Sequence, residues 1–559
     1  MPATRRRTRS QDSTGEDEAV AAQAAPASGA GNDLSKKTAE TKDAAAEDAA
    51  GAADRSAPRP AKRARLEEGE TEEAPAAGAP ASTLAAAEAQ ARQVLDRAPS
   101  VLQESRQARQ AAQVSAGGSD CPYLDTVCRE ALDFDFEKVC SVSLSNINVY
   151  ACLVCGRYFQ GRSPSSHAYQ HALDAEHHVF MKLDDTMRIY CLPDGYEIRD
   201  AAFDDIRAVC NPRYSRETIA ALDSPGSAKP VRALDGSHFL PGVLGLNEVN
   251  KTGYVSVVVQ ALANCSPLRD FFLDPANYTK LVDGSPAAQH AAVVRQFAAL
   301  VRKLWNAANF KRHVSPHELL RAVSQASGGR FSPGKAADQM AFFTAFLDSL
   351  HRGLGGTRQP QSSFIHRLFQ GRVRMTTLRR VDGRDTSEVR EMPFIHLALD
   401  VPAKPLFKDQ ADKNVIAQVP LFQCLEKFDG KRETHTAAGD ERRQFIITRL
   451  PHFLVMHVRR FARNSFNDEK NTTIVRFPLR LDMRSYVADA REETPTVYNL
   501  VANLRQERGD GEGAHEVHVQ HKASGKLFNI QDLIVDEVQS IMVGQSEAYV
   551  LVYELAAKE

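Results

Sequence analysis

Two cysteines three positions apart, Cys152 and Cys155, are followed by His167, His171 and His177. A CxxC pair brings two thiolates onto one turn, and imidazoles from a following helix and its exit complete a tetrahedral nitrogen–sulfur set. Four protein ligands make a closed, structural zinc site with no coordination position left for a substrate. His167 and His171 stand four residues apart, so they share one helix face and each is a geometrically acceptable ligand. Buried apolar cysteines beside surface histidines are the metal-free reading of the same residue types, and the spacing argues against it.

The run Cys152-Leu153-Val154-Cys155-Gly156-Arg157-Tyr158 with its histidines resembles the ubiquitin-binding zinc finger that accompanies many ubiquitin-specific proteases, whose core reads CGRY…HxxxH…H. Resemblance to multi-zinc members implies that Cys152, Cys155, His171 and His177 hold one Zn2+. The second site of those members would use Cys140, position 143 and the His167 position, and Ser143 breaks that pair. One structural zinc is therefore expected, with Cys140 and His167 in reserve. Fingers that capture the free tail of ubiquitin use an arginine after CG and a cage of aromatics. Arg157 matches the arginine, while Tyr150 and Tyr190 fall where tryptophans are usual and Leu192 replaces a further tyrosine. A weakened cage offers less stacking surface, so the finger is expected to be a docking surface.

A second constellation lies downstream. Gly245-Leu246-Asn247-Glu248-Val249-Asn250-Lys251-Thr252-Gly253-Tyr254 resembles the nucleophile box of ubiquitin-specific proteases, GLxNxGxTCY. The resemblance puts Gly253 at the nucleophilic cysteine and Glu248 at the asparagine whose amide donates to the oxyanion. Without a thiolate no acyl-enzyme forms, and a carboxylate aimed at a developing oxyanion repels it. Gly513-Ala514-His515-Glu516-Val517-His518-Val519 resembles GGHYxxY, with His515 at the general base. Gly525-Lys526-Leu527-Phe528-Asn529-Ile530-Gln531-Asp532 resembles GKWYxFDD, with Gln531 where the imidazole is oriented. A neutral amide can hold a ring but does not stabilise the imidazolium as a carboxylate does. The chain is thus expected to be a pseudo-deubiquitinase, with His515 a strand residue in an idle cleft. Cys265, twelve positions along the expected helix, lies about 18 Å from Gly253 and out of reach. Ser256 and Thr252 are nearer, but a hydroxyl nucleophile needs a base at hydrogen-bond distance, and both read as solvated or capping hydroxyls.

Such residues need a scaffold. Asp338-Gln339-Met340-Ala341-Phe342 stands for the family's DAxEF, and Phe343, Phe346, Leu347 and Leu350 recur at the spacing of a buried helix face. Arg449 to Phe461 resembles the LPxxLxxHLKRF strand, where His457 has no catalytic role, and Ala548 to Tyr553 resembles the closing strand. Val257-Val258-Val259 is β-prone, yet the resemblance makes it helical, an override that burial can enforce. After Cys265 the only cysteine is Cys424, so a fingers sheet must hold without metal. The expected architecture is α+β: a zinc-finger module over 119–215, then a papain-like cysteine-protease fold with thumb, palm and fingers over 236–559.

Composition sets the remaining bounds. Lys and Arg number 70 against 71 Asp and Glu, so no whole-molecule field points to nucleic acid or membrane. Nine cysteines, an odd number without a secretory leader, favour reduced thiols and metal ligation. No apolar run approaches the ~20 residues of a membrane span, and an intracellular, soluble protein is expected. Residues 1–118 lack the aromatics needed to offset chain entropy and are expected to be a disordered charged arm. Basic clusters at Arg5–Arg9 and Arg59–Arg65 suit importin or phosphate contact, and 83–113 suits an interrupted helix on a partner.

A degenerate protease after a zinc finger, together with Leu132-Asp133-Phe134-Asp135-Phe136-Glu137-Lys138, Lys303-Leu304-Trp305-Asn306 and His313-Val314-Ser315-Pro316-His317-Glu318, is similar to one branch. That branch comprises the inactive ubiquitin-specific-protease-like splicing factors of the tri-snRNP. The resemblance implies a nuclear, non-catalytic scaffold in pre-mRNA splicing whose partners are spliceosomal tri-snRNP proteins; no motif assigns direct RNA contact. The alternatives are a module that binds ubiquitin or ubiquitin-like proteins without cleaving conjugates, and a weak protease with an unrecognised nucleophile.

Overall fold

Alternation along Val149–Cys152 (β1) explains why all four of its residues are buried. Val149 and Ala151 face one core with Met181, Ile189, Phe203 and Ile206, while Tyr150 and Cys152 face another with Phe180 and Tyr190. β1 lies within a five-stranded antiparallel sheet with Tyr158–Gln160 (β2), Val179–Lys182 (β3), Ile189–Cys191 (β4) and Glu197–Ile198 (β5), in the order β2-β1-β3-β4-β5. Helix α1, His167–Asp174, closes the second core by burying Ala168 and Ala172, four residues apart. In this computed structural model the described residues are 121–557 except 382–383, 403–416, 436–440, 464–467, 509–510 and 512. The basic clusters and the helix expected over 83–113 lie outside them.

The thumb is built on α2, Gly253–Ala263, in which every residue is buried. A helix apolar on all sides belongs inside a core, which is why Val257-Val258-Val259 is helical here against its propensity. Around it pack α3 (Ser266–Leu273), α4 (Ala288–Leu304), α5 (His317–Ala326) and α6 (Gln339–Gly353). Phe343, Phe346, Leu347 and Leu350 of α6 are all buried, as their spacing requires. Asp338 caps α6, its carboxylate accepting from Ala341 N at 2.7 Å.

The palm is an eight-stranded sheet. It contains β8 (His396–Asp400), β10 (Phe453–Arg459), β11 (Val497–Gln506), β12 (His515–His521), β13 (Lys526–Gln531), β14 (Ile534–Val538) and β15 (Val550–Leu555), ordered β8-β10-β15-β11-β12-β13-β14, with Arg480–Asp482 beside β11. The fingers are β6 (Gly371–Val381), β7 (Arg384–Phe394), β9 (Glu441–Arg449) and Thr434–His435, joined antiparallel. Val373, Phe394, Phe445 and Ile447 of this sheet pack on the palm core, so apolar packing takes the place of a metal cap.

The finger docks on the thumb mainly through the segments 133–137, 303–311 and 315–317. Lys303 Nζ donates to the Phe134 carbonyl and to Asp135 Oδ1, both at 2.8 Å. Asp135 Oδ2 accepts from Ser315 N at 2.8 Å, and Lys311 pairs with Asp133 at 2.9 Å. Phe136 stacks on His317, and Asn306 donates to the Ala208 carbonyl at 3.0 Å. Phe310, from the larger domain, is buried in the finger's own core.

Candidate functional site

Cys152 ends β1, Cys155 lies on the turn after it, His171 stands on α1 and His177 on the exit from that helix. Their four ligand atoms lie within 4.8 Å of one another. His171 Nε2 and His177 Nδ1 are 3.2 Å apart, Cys155 Sγ is 3.4 Å from His171 Nε2, and Cys152 Sγ is 3.6 Å from His177 Nδ1. Zinc bonds of about 2.0–2.1 Å to nitrogen and about 2.3 Å to sulfur give tetrahedral edges of about 3.3 and 3.5 Å, so the donor set fits the ion. The interaction between the two thiols pushes Cys155 down and Cys152 up, the direction that favours a thiolate at Cys155.

The reserve ligands take other roles. Cys140 Sγ accepts from Ser143 N at 3.4 Å, and Ser143 Oγ donates to Gln160 at 2.8 Å, which closes a turn. His167 opens α1 one turn before His171 and stays outside the cluster, the one such group among the described residues. The aromatic pair is not an open cage either. Tyr150 and Tyr190 are 3% and 8% exposed, and the Arg162 guanidinium lies 4.4 Å over the Tyr190 ring.

In the cleft, Gly253 is the first residue of α2, where backbone N–H groups and the helix dipole favour an anion. A Cβ there would lie 2.8 Å from Glu248 Oε2 and 2.9 Å from His515 Cδ2. His515 heads β12 and is buried. Its Nε2 is 3.0 Å from the Gly511 carbonyl, which can only accept, so Nε2 carries the proton. Nδ1 is then an acceptor, and it faces the Gln339 side-chain amide nitrogen at 2.8 Å. Burial holds the ring below the usual histidine range, against the pull of the Gly511 carbonyl and of Glu248, Asp338 and Glu507.

The expectation for Gln531 is corrected: it shares no hydrogen bond with His515. Val517 lies opposite Ile530, so strand alternation puts Ile530 on the face that Val517 and His515 share and turns Gln531 away. Asp532, the next residue, instead anchors the loop before Gly253, accepting from Glu248 N at 2.6 Å. Gln339 went unnoticed as the partner, and its signal was a long amide where DAxEF has alanine. Thr252 and Ser256 are not the solvated or capping hydroxyls expected: both are buried, and neither side chain caps α2. Thr252 Oγ1 donates to the Val249 carbonyl at 2.8 Å, Ser256 is buried, and Cys265 is fully buried with its thiol pushed well up.

Residues 244–553 match the family described as ubiquitin carboxyl-terminal hydrolase. The chain belongs to that family. Within it, residues 140–203 match the zinc finger found in ubiquitin hydrolases and other proteins, so the hydrolase-family domain follows a zinc-binding module. Ubiquitin carboxyl-terminal hydrolase 39 of Mus musculus is 42% identical over 453 residues, covering 78% of this chain and 80% of its own. Probable mRNA-splicing protein ubp10 of Schizosaccharomyces pombe is 38% identical over 455 residues, covering 77% and 88%. The crystal structure of an essential yeast splicing factor superposes with a TM-score of 0.62 at 25% identity, covering 78% of this chain and all of that one. The fold is accordingly the papain-like α+β fold of this hydrolase family carrying a zinc-finger module.

Proposed function

We propose that this chain is a nuclear, non-catalytic scaffold in pre-mRNA splicing that assembles or stabilises the tri-snRNP and its entry into the spliceosome. The observation that carries the non-catalytic reading is the cleft. Gly253 has no side chain at the head of α2, and the neighbouring imidazole has both nitrogens committed to the protein itself. Acyl transfer needs a nucleophile and a base that can take its proton, and neither is in place. The splicing role is supported by relatives that share most of their length with this chain and are named for that process.

The finger belongs to the same reading. One structural zinc, held by Cys152, Cys155, His171 and His177, fixes a module whose segment from Asp133 to Glu137 is fastened to the thumb. The buried Tyr150 and Tyr190 favour protein docking over capture of a ubiquitin tail.

The test is depletion of the protein from a splicing-competent extract and add-back of variants. His515→Ala is expected to support splicing, and Cys155→Ser to fail both in splicing and in retaining tri-snRNP proteins. Retention of ubiquitin chains in place of snRNP proteins would favour the conjugate-binding reading instead. Cleavage of a ubiquitin-fluorophore substrate by the unmodified protein would refute the non-catalytic one.

A further inference from the structure

We propose that Gln339 is a positioning residue that locks His515 turned away from the nucleophile position, in a place that the missing side chain of Gly253 leaves open. The proposal rests on the non-catalytic reading and gives it a cause. A base that activates a thiol must present a ring nitrogen to it. Here the point where a Cβ of residue 253 would sit faces the ring carbon Cδ2 at 2.9 Å, while Nδ1 and Nε2 point to Gln339 and Gly511. Real Cβ atoms do not approach that closely, so a side chain at 253 would have to press the ring back by a few tenths of an ångström, while Gln339 and Gly511 would still hold its two nitrogens turned away. Glu248 Oε2 crowds the same point at 2.8 Å, but it ends an exposed, flexible side chain that can swing clear. The buried ring cannot.

Gln339 is itself held without freedom. It is fully buried, and its two amide hydrogens go to the Arg505 carbonyl at 2.7 Å and to His515 Nδ1 at 2.8 Å. Because a carbonyl accepts only, the amide cannot be flipped. Its own Oε1 is left buried without a partner, a cost the protein bears for this orientation. The backbone N–H of Gln339 donates to Gln506 Oε1 at 3.0 Å, and Gln506 Nε2 donates to the Arg508 carbonyl at 2.6 Å. The start of α6, the end of β11 and the start of β12 are therefore joined through this ring.

The charged and titratable groups around the imidazole are Glu248 on the loop before α2, Asp338 at the cap of α6 and Glu507 after β11, with the Tyr254 ring edge-on at 6.3 Å. Tyr549 binds Asp338 rather than the ring. All three carboxylates favour the imidazolium. What opposes them is burial and a donor aimed at the one nitrogen that could take a proton, so removing the Gln339 amide frees His515 to titrate.

Histidine-selective 15N NMR on the full chain, with His515 assigned by the signal lost in His515→Asn, tests this directly. Unmodified protein should show the Nε2–H tautomer with no titration between pH 8 and 6. Gln339→Ala should raise the His515 pKa by about one unit or more, and Gln339→Glu, which puts an acceptor at Nδ1 while the Gly511 carbonyl keeps accepting from Nε2, should favour the doubly protonated ring and raise it further. A cysteine probe gives a second readout. In Gly253→Cys, iodoacetamide alkylation should follow an ordinary thiol profile near pH 8.5. In Gly253→Cys with Gln339→Ala it should shift at least one unit lower, about tenfold faster at pH 7. His515 titrating near 6.5 in the unmodified chain, or Gly253→Cys already showing the lowered profile, overturns the lock alone. Ubiquitin-fluorophore hydrolysis by the unmodified chain overturns the lock and the non-catalytic reading together.

Discussion

Lys303 Nζ is 2.8 Å from Asp135 Oδ1, and this ion pair joins residues 168 positions apart across the seam between finger and thumb. The side chains are only 15% and 17% exposed, so water screens the pair poorly. Each partner is also bound elsewhere, Lys303 to the Phe134 carbonyl and Asp135 to Ser315 N. The seam is a hydrogen-bonded joint rather than a loose contact.

Asp135→Ala should therefore leave Lys303 without its counter-ion and Ser315 N without its acceptor in a half-buried joint, and destabilise the protein by about 2 kcal/mol. Urea denaturation of Asp135→Ala, Lys303→Ala and the double variant would measure the coupling. Additive losses in that cycle would mean the pair does not hold the seam.

Metal content follows from the donor set. Purified protein should carry one equivalent of zinc and Cys155→Ser none, since three remaining ligands leave an open, weak site. Structural zinc contributes about 10–16 kcal/mol of apparent binding free energy in small fingers, so the variant's finger should lose hydrogen-exchange protection over residues 121–200. Because Phe310 is buried in the finger core, protection should also fall near residue 310 while α2 keeps its own. A full equivalent of zinc in Cys155→Ser would show that the ligands are wrongly assigned.

Acid should weaken the fold before it protonates carboxylates. Burial pushes His457 and His518 down to about 4, and also lowers His396, His515 and His521. A histidine whose folded pKa lies below its unfolded value takes up its proton first in the unfolded chain. Stability is therefore intact above about pH 6.5 and is lost as pH falls from there towards about 4, by up to about 1.4 kcal/mol per pH unit for each such histidine. Thermal melts at pH 7.5, 6.0 and 5.0 should show a falling Tm, with a shallower fall in His518→Asn. A Tm that holds to pH 5 would contradict the burial of these rings.

Gly253→Cys alone should not create a deubiquitinase. The new Cβ would meet the Glu248 carboxylate and the His515 ring edge, both inside 3.0 Å, so the variant should lose stability and still leave ubiquitin-fluorophore uncleaved. Turnover above the unmodified protein's background would show that the ring can turn back unaided.

Short-range chemistry was legible in the residues, and long-range pairing was not. Cys152, Cys155, His171 and His177 lie within 26 positions; their spacing pointed to a metal set, and the family resemblance chose His171 over His167. The buried face of α6 was legible because Phe343, Phe346, Leu347 and Leu350 recur at the helical period. Gln339 could not be paired with His515 by spacing, since 176 positions separate them and a sheet brings them together. Gln531 was misassigned because motif position says which residue stands at a strand end but not which face it turns to, and register decides that. The segments around Asp135, Lys303 and His317 carry the family resemblance, but nothing in their spacing pairs them across the seam.

Trp305 is the chain's single tryptophan. Its indole donates to the Ala263 carbonyl at 3.0 Å, with the Arg269 guanidinium 4.4 Å over one face and the His521 ring stacked 5.7 Å away. It follows Lys303 by two positions and precedes Asn306, both of which bind the finger. The molecule thus carries its own optical reporter at the joint: intrinsic emission excited at the indole band comes from one site, and its quenching and wavelength follow opening of the seam without any attached dye.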